Sequence, residues 1–158
     1  MRPILPIPRE ALEQPTRLIL ENYQRWLGGE LIPSGNPTLA VEDLFAAPCV
    51  VLAALGPAGT DHVFCYANHA ALTLFEANWE ELVGHPSSAS AEPVHRDERR
   101  RLLEEVARHG FIANYAGIRI SRKGRRFRIL HAKVFNLLDQ AGDHVGQAAT
   151  FADWESVD

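Results

Sequence analysis

Arginine side chains are the most concentrated chemically active groups in this chain. Residues 96–133 carry 12 basic and 4 acidic side chains, although the whole chain of 158 residues has a net charge of −4. A planar guanidinium group binds a carboxylate or a phosphate through paired, charge-assisted hydrogen bonds. The pattern therefore predicts either a basic surface that pairs with acidic residues from elsewhere in the chain, or a site that captures an anion.

The most basic stretch within this region is a predicted hairpin that contains no acidic residue. Its basic side chains are Arg119, Arg122, Lys123, Arg125, Arg126 and Arg128. Strand alternation places Arg126 and Arg128 on one sheet face, whereas Arg119 needs an anionic partner if it points into a pocket. Nucleic acid is the least favoured partner, because the aromatic residue Phe127 stands alone in the hairpin and the net charge is negative.

The other reactive residues do not form a catalytic or metal-binding motif. The chain contains no Gly-x-Ser-x-Gly elbow, no phosphate-binding Gly-rich loop, and no His-x-His or His-x-x-x-His spacing. His131 and Asp139 offer the components of a general acid–base pair, but a solvated turn explains Asp139 more simply. The sequence thus predicts that the protein is not an enzyme and holds no metal.

The two cysteines, Cys49 and Cys65, lie in apolar runs on strands that we expect to be neighbours. Buried, reduced thiols are the simpler interpretation, because free cysteine is among the most buried residue types. A redox pair is the alternative, since neighbouring strands can bring two cysteines within bonding distance.

The N-terminal residues 1–37 predict a helix and a connector ahead of a compact domain at 38–158. The helix is expected between Pro8 and Gly29, with Thr16 as its N-cap. Its apolar stripe consists of Ile19, Tyr23, Trp26 and Leu27. Such a stripe must be buried either on its own domain or on a second subunit, so these residues form a candidate dimer interface.

The compact domain changes its hydrophobic period between helical and strand segments. The predicted elements are a hairpin at 49–66, short helices at 70–84, a long helix at 96–109, and an antiparallel meander with strands at 112–120, 125–138 and 144–151. This order describes an α+β domain in which short helices lie on one face of a five-stranded antiparallel sheet.

The order of elements resembles the PAS fold, and two motifs carry the resemblance. They read Phe64-x-Tyr66-Ala67-Asn68-x-Ala70-Ala71-x-x-Leu74-Phe75 and Trp79-Glu80-Glu81-Leu82-Val83-Gly84. PAS domains typically carry an asparagine with an alanine pair in the first motif and a Glu-Leu-x-Gly turn in the second. The resemblance implies a sensory module that binds a small molecule between the sheet and its helices, or pairs through the outer sheet face.

The chain is more closely similar to the MEKHLA family, a PAS-like group found in small bacterial proteins and in plant homeodomain leucine-zipper factors. The most specific matching segments are Gly124-Arg125-Arg126-Phe127-Arg128-Ile129 and Gly146-Gln147-Ala148-Ala149-Thr150-Phe151, and the similarity covers residues 16–154. The six-letter string that names the family is absent. The resemblance implies neither a catalytic residue nor a particular ligand.

The PAS resemblance places several polar side chains near the expected ligand pocket. These candidate ligand-binding residues are Tyr66, Asn68, Tyr115, Arg119, Arg128, His131, Asn136 and Gln147. Structural roles are simpler for Asn68 as a helix cap, His131 as a partner of a backbone carbonyl, and Gln147 as an amide satisfied across strands. Together the eight residues can also form the polar end wall of a ligand site.

The cofactors of other PAS domains find little support in the sequence. Flavin-binding light sensors need a reactive cysteine in the helical segment, but residues 67–109 contain none. A haem ligand is only weakly indicated, by His95 and His109 at the two ends of the long helix. The cofactor is therefore left unknown.

Taken together, the residues and the resemblance predict a non-enzymatic PAS-like sensory module that binds a small molecule, mediates protein–protein interaction in signalling, or both. We expect a small-molecule or anionic ligand, a homodimer or partner protein, and no nucleic-acid or membrane partner. A cytoplasmic location is expected, because no apolar run approaches about 18 residues and prolines interrupt the N-terminus. The alternatives are a ligand-free docking or dimerisation module and, third, an anion- or nucleic-acid-binding module that uses the 119–128 hairpin.

Overall fold

The fold consists of one antiparallel sheet with helices on both of its faces. The structure, a computed structural model, describes residues 5–33 and 37–157. Its helices are α1 (Arg9–Leu27), α2 (Ala40–Phe45), α3 (His69–Leu74), α4 (Trp79–Leu82) and α5 (Pro93–His109), with short 3-10 turns at Pro37–Leu39 and Ser87–Ser90. Its strands are β1 (Val50–Leu55), β2 (Val63–Ala67), β3 (Phe111–Ile120), β4 (Arg126–Leu138), β5 (His144–Phe151) and β6 (Asp153–Ser156).

The strand order β2-β1-β5-β4-β3 joins the N-terminal hairpin to the C-terminal meander at the centre of the sheet. All of these pairs are antiparallel, so the predicted five-stranded sheet is confirmed. The short strand β6 is an addition that pairs with β4 beyond the end of β5. It was not predicted because all four of its residues are exposed, which leaves no alternation of apolar and polar positions.

Helix α1 begins earlier than the sequence predicts. Thr16 is not an N-cap but a buried residue inside the helix, and Pro15 also lies within it. Proline usually interrupts a helix because it lacks a backbone N–H. Here the first half of the helix buries Leu12 completely in a cluster with the sheet, and this burial favours continuing the helix through Pro15.

Helices α1 and α2 cover the outer face of the sheet. The outer cluster is formed by Leu12, Ile19, Tyr23, Val41, Leu44, Phe45, Val51, Ala53, Tyr66, Phe135, Leu137 and Ala148. Polar contacts fix α1 in place, since the Asn22 side chain bonds both the N–H and the carbonyl of Leu138 at 3.0 Å. Trp26 Nε1 also donates to the Asn136 carbonyl at 2.9 Å.

The apolar stripe of α1 is therefore buried on its own domain, which is one of the two options that the sequence leaves open. Ile19 is fully buried and Tyr23 is nearly so, while Trp26 and Leu27 are partly buried. The Tyr23 ring contacts the Phe135 ring edge-on, with 5.9 Å between the ring centroids.

The inner face of the sheet is covered by α3, α5 and the segment between them. The inner cluster includes Val50, Leu52, Phe64, Leu74, Phe75, Leu102, Val106, Phe127, Ile129, Val134 and Phe151. Asn68 caps α3 by accepting from the Ala71 N–H at 3.1 Å, and its amide donates to the Cys49 carbonyl at 2.8 Å. The predicted helix cap is thus confirmed.

Cys49 and Cys65 are both free thiols. Ala53 pairs with Tyr66 across β1 and β2, so Cys65 lies opposite a point about four residues beyond Cys49, or roughly 13 Å along the strand. A disulfide spans at most about 7 Å between Cα atoms, so the redox pair does not form in this register. Burial raises the pKa of Cys65 to about 12, which keeps this thiol protonated and unreactive near neutral pH.

Candidate functional site

A cavity of about 80 Å³ lies between the inner sheet face and helix α5. Most of its wall is apolar and comes from Leu52, Phe64, Phe75, Leu102, Ile129, Val134 and Phe151. It adjoins an outer cavity of about 220 Å³ that is bounded by the 58–62 loop and by α5. The residues that line both cavities are His62, Arg99, Leu103 and Gln147, which therefore mark the boundary between them.

The polar end of the inner cavity is built by strand β3. Arg119 and Tyr115 are only 7% and 9% exposed, although Arg119 carries a charge. The Arg119 guanidinium donates to the Tyr115 hydroxyl at 3.2 Å and to the Ile118 carbonyl at 2.8 Å. The Tyr115 hydroxyl in turn donates to the Glu98 carboxylate of α5, at 3.1 and 3.2 Å from its two oxygens.

An irregular stretch of β3 directs these two side chains into the protein. The pairing of β3 with β4 shifts register on both sides of Tyr115, and Asn114 has a φ of 63°. A bulge of this kind changes the direction of the side chains that follow it. Gly117 is required between them, because a Cβ atom there would overlap the Tyr115 hydroxyl.

Burial raises the pKa of Tyr115, and Arg119 only partly opposes this effect. The hydroxyl therefore stays protonated at neutral pH. It donates its one proton to the Glu98 carboxylate while it accepts a hydrogen bond from Arg119.

A second guanidinium group reaches this region from helix α5. The Nη2 atom of Arg99 donates to the Ser87 hydroxyl at 2.9 Å. Burial, followed by the nearby positive charge of Arg119, lowers the pKa of Arg99 to about 10, while Asp61 opposes the shift. Arg99 therefore lies in a partly desolvated region, where the charge of Arg119 disfavours its charged form.

Three arginines of the basic hairpin pair with glutamates from elsewhere in the chain, as the simpler interpretation of the sequence predicts. Arg122 and Glu81 approach to 2.8 Å, and Arg128 and Glu155 approach to 3.2 Å. Arg126 also contacts a glutamate from the segment before α5.

Arg119 and Arg99 differ from these surface arginines. Within residues 5–33 and 37–157, neither has a carboxylate oxygen within 4.0 Å of its guanidinium nitrogens. They are therefore the two arginines at the cavity whose charge is not neutralised by direct contact with a carboxylate of the described chain.

His62 marks the mouth of the inner cavity and contacts a second histidine. Its Nδ1 atom lies 2.8 Å from the Thr60 carbonyl, and its Nε2 atom lies 3.2 Å from Nε2 of His144. Because a carbonyl only accepts, Nδ1 of His62 carries a hydrogen, and the two Nε2 atoms share one hydrogen bond. Burial, and then the proximity of His62, lower the pKa of His144.

Three of the eight predicted ligand-binding residues line the cavity, namely Tyr115, Arg119 and Gln147. Asn136 supports this wall from the side, since Gln147 Nε2 donates to its Oδ1 at 3.2 Å and to the Leu103 carbonyl at 3.0 Å. Gln147 is thus satisfied across strands, as the structural interpretation of this amide predicts.

Two further candidates are buried outside the cavity. Tyr66 belongs to the outer cluster, and its ring contacts the Trp79 ring edge-on at 6.0 Å between centroids. Asn68 uses its side chain to cap α3 and to bond the backbone before β1.

The remaining two candidates, Arg128 and His131, are exposed to solvent. The His131 ring contacts the Asp153 carboxylate at 3.2 Å, and this corrects the expectation that it bonds a backbone carbonyl. Its φ of 53° interrupts the regular strand opposite the β3 bulge, so the ring turns towards solvent.

Four polar residues of the cavity wall were not predicted from the sequence, namely His62, Ser87, Ser90 and Arg99. Arg99 had a detectable signal, because it precedes the buried residues Leu102 and Val106 by three and seven positions on α5. This spacing places all three on one helix face. The other three lie outside the regular helices and strands, where no periodic pattern indicates orientation.

The weak haem candidates His95 and His109 lie at the two ends of α5, and neither is among the residues that line the two cavities. In the described part of the chain, no three His, Cys, Asp or Glu side chains cluster as metal ligands. None of the described helices combines the length and the apolar character that a membrane crossing requires.

Solved structures with this architecture define the class of protein. The PAS domain of a protein from Colwellia psychrerythraea superposes with a TM-score of 0.60 at 12% identity, covering 72% of this chain and 92% of that chain. A light-oxygen-voltage domain studied with a flavin analogue gives 0.57 at 16% identity, covering 78% and 87%. An RNA-binding light-oxygen-voltage receptor gives 0.60 at 17% identity, covering 79% of this chain but 36% of the receptor. The chain therefore has a PAS-like fold.

The particular family follows from the sequence. The MEKHLA domain model matches residues 13–156, and the chain belongs to the MEKHLA domain family. The resemblance stated from the sequence is thus confirmed. No curated protein matches the chain.

Proposed function

We propose that this chain is a non-enzymatic, cytoplasmic sensory module that binds a small molecule in the inner cavity. The observation that carries the proposal is the cavity itself, an apolar chamber of about 80 Å³ beside the sheet. Protein interiors are close-packed, and one water needs roughly 10–15 Å³ of such cavity volume. The inner chamber therefore has room for several non-hydrogen atoms, and the adjoining outer cavity gives a ligand a route of entry.

The contacts at the polar end suggest how an occupied cavity is reported to the surface. Tyr115 on β3 bonds both Arg119 at the cavity and Glu98 on α5. A ligand that engages Arg119 or Tyr115 changes the strength of this link between the sheet and the helix. We propose that the position of α5 is the output of the module.

Docking without a ligand is the weaker alternative. The α1 stripe that was the candidate dimer interface is already covered by the sheet of the same chain, with Ile19 fully buried. A second copy would have to displace α1 from this position. The inner cavity needs no such rearrangement to accept a small molecule.

The proposal is tested with the freshly purified full chain, by native mass spectrometry together with an absorption spectrum. We expect an additional mass that is lost on denaturation, and a higher unfolding temperature for the occupied protein. Ala149→Leu is designed to fill the cavity from β5 and to reduce the occupied fraction. Ala152→Leu is the matched control, because residue 152 is exposed just beyond the same strand.

The proposal is wrong if no additional mass is found and if carboxylates, phosphates, flavins and haem all leave the unfolding temperature unchanged. Equal occupancy in Ala149→Leu and in the wild type would place any bound molecule elsewhere.

A further inference from the structure

We infer that the ligand of the inner cavity is a small organic carboxylate, held by Arg119 and Arg99, with its apolar body against the inner cluster. This inference rests on the proposed function, because it specifies the chemical class of molecule that the same cavity binds.

The buried charge of Arg119 favours an anionic ligand. Its side chain is 7% exposed, and its hydrogen bonds go to a neutral carbonyl and a neutral hydroxyl. A buried ion without an opposite charge is strongly unfavourable, and an anion in contact with it removes most of that penalty. Arg122 and Arg128 of the neighbouring hairpin are exposed and already have carboxylate partners, so they do not share this requirement.

Arg99 lies at the same cavity as Arg119. It lines both cavities and belongs to helix α5, whereas Arg119 lines the inner cavity from β3, so their like charges face one shared space. An anion between two guanidinium groups converts this repulsion into two attractions. The other arginines of the outer cavity are engaged elsewhere, since Arg100 pairs with Asp97 and Arg96 donates to the Ala91 carbonyl.

The carboxylates beside the site favour a ligand with a single negative charge. Two carboxylates already lie at the edge of the site, where Glu98 accepts from Tyr115 and Asp61 accepts from the Ser88 hydroxyl at 2.5 Å. Asp61 also lies 3.5 Å from the Ser87 hydroxyl that binds Arg99. These partly compensate the two guanidinium charges, so a monoanion fits the remaining field better than a dianionic phosphate.

The apolar wall of the inner cavity favours a ligand with an apolar body. Beyond the two guanidinium groups, the chamber is lined by aliphatic and aromatic side chains such as Phe75, Ile129 and Phe151. An acyl or aromatic group is favourable there because it removes apolar surface from water. A carboxylate on a short apolar body meets both requirements.

The test compares each acid with its neutral amide, using the full chain, isothermal titration and thermal unfolding. Hexanoate with hexanamide and benzoate with benzamide are the matched probes, and inorganic phosphate is the third kind of probe. We expect both acids to bind and to raise the unfolding temperature, whereas the amides and phosphate bind at least tenfold more weakly.

Arg119→Met removes the charge and keeps an unbranched apolar side chain. We expect this variant to weaken hexanoate binding roughly 10–100-fold, as for the loss of a charge-assisted contact. Its unfolding temperature without ligand should stay equal or rise, because the buried charge is gone; a merely structural Arg119 predicts a fall. Arg128→Met is the matched control, since Arg128 is exposed and pairs with Glu155. If Arg119→Met does not fold, Arg99→Met gives the same binding readout from helix α5.

Three results would overturn the inference. Amides that bind as tightly as their acids would show a neutral ligand, and phosphate that binds more tightly than hexanoate would show a different anion. Unchanged hexanoate binding in both Arg119→Met and Arg99→Met would place the carboxylate elsewhere. In these cases the proposed function still stands if a mass adduct is found in the wild type and is lost in Ala149→Leu. If no adduct and no binding are found, both the proposed function and the carboxylate ligand are wrong.

Discussion

The two faces of the sheet are built from similar apolar clusters, but they treat polar groups differently. On the outer face, helix α1 satisfies the backbone of Leu138 through Asn22, and Lys133 donates to the Tyr23 hydroxyl at 2.8 Å. Among the described residues, the hydroxyls of Thr16 and Tyr66 and the Oε2 atom of Glu42 lack a hydrogen bond there, but the Glu42 carboxylate pairs with Arg9 through its other oxygen.

On the inner face, Arg99 and Arg119 lie beside a cavity with no carboxylate oxygen of the described residues within 4.0 Å of their guanidinium nitrogens. An unpaired charge is far more costly than an unpaired hydroxyl, so a bound anion would stabilise the inner face. We therefore expect the outer face to stabilise the fold and the inner face to bind the ligand.

The largest effect is expected from removing the aromatic centre of the outer face. Phe135 is fully buried beneath α1, so Phe135→Ala should lower the free energy of unfolding by about 3–5 kcal/mol. Phe111→Ala is the control, because Phe111 is 37% exposed at the start of β3. Denaturant unfolding measures both, and similar costs for the two would contradict a packed outer core.

The next effect concerns the polar attachment of α1. Asn22→Ala leaves both backbone groups of Leu138 without their side-chain partner, so we expect a loss of about 2–4 kcal/mol. Gln24→Ala, on the exposed side of the same helix, should change stability by less than about 0.5 kcal/mol. Equal effects in thermal unfolding would show that Asn22 does not anchor the helix.

Two adjacent alanines of β5 compare the faces directly. Ala148 is buried in the outer cluster, whereas Ala149 packs against the inner one, although both border the cavity. Ala148→Leu should overpack the outer face and cost about 1–3 kcal/mol, while Ala149→Leu enters existing space and costs less than about 1 kcal/mol. The opposite order, measured by denaturant unfolding, would remove the distinction between a filled and an unfilled face.

The smallest effect is the pH dependence at the cavity mouth. The pKa of His144 is lowered in the folded protein, mainly by burial, so the unfolded chain binds the proton more readily. The stability due to neutral His144 is present above the unfolded pKa of about 6.5 and is lost as the pH falls below it. His144→Gln should therefore lose less stability than the wild type between about pH 7.5 and about pH 5.5.

The control for this pH effect is His109→Gln, since His109 is exposed at the end of α5. Thermal unfolding at the two pH values measures it. An acid sensitivity that His144→Gln leaves unchanged would exclude the histidine pair as its source.

Most of the scaffold was predictable from local patterns. Gly110 marks the end of α5, and the glycine turns at Gly124 and Gly142 separate the strands of the meander, so element order followed from the sequence. The start of α1 was not predictable, because Pro15 and Thr16 are terminus signals that burial against the sheet overrides.

The site was less predictable because a bulge controls it. Hydrophobicity alone places Ile118 inside and Arg119 outside, but in the structure Arg119 is buried and Ile118 is only partly so. The positive φ values at Asn114 and His131 accompany a shift in the pairing register of β3 and β4. No pattern in the sequence predicts these two backbone conformations. Arg119 was nevertheless among the predicted ligand-binding residues, because an arginine that points into a pocket needs an anionic partner.

The most direct test of the account is a methyl NMR titration of the full chain with hexanoate. We predict shifts for methyl groups that line the cavity, on Leu52, Leu102, Ile129 and Val134, with little change for Leu12, Val51 and Leu137 of the outer cluster. Shifts confined to the outer cluster, or no shift at saturating hexanoate, would contradict a carboxylate site on the inner face.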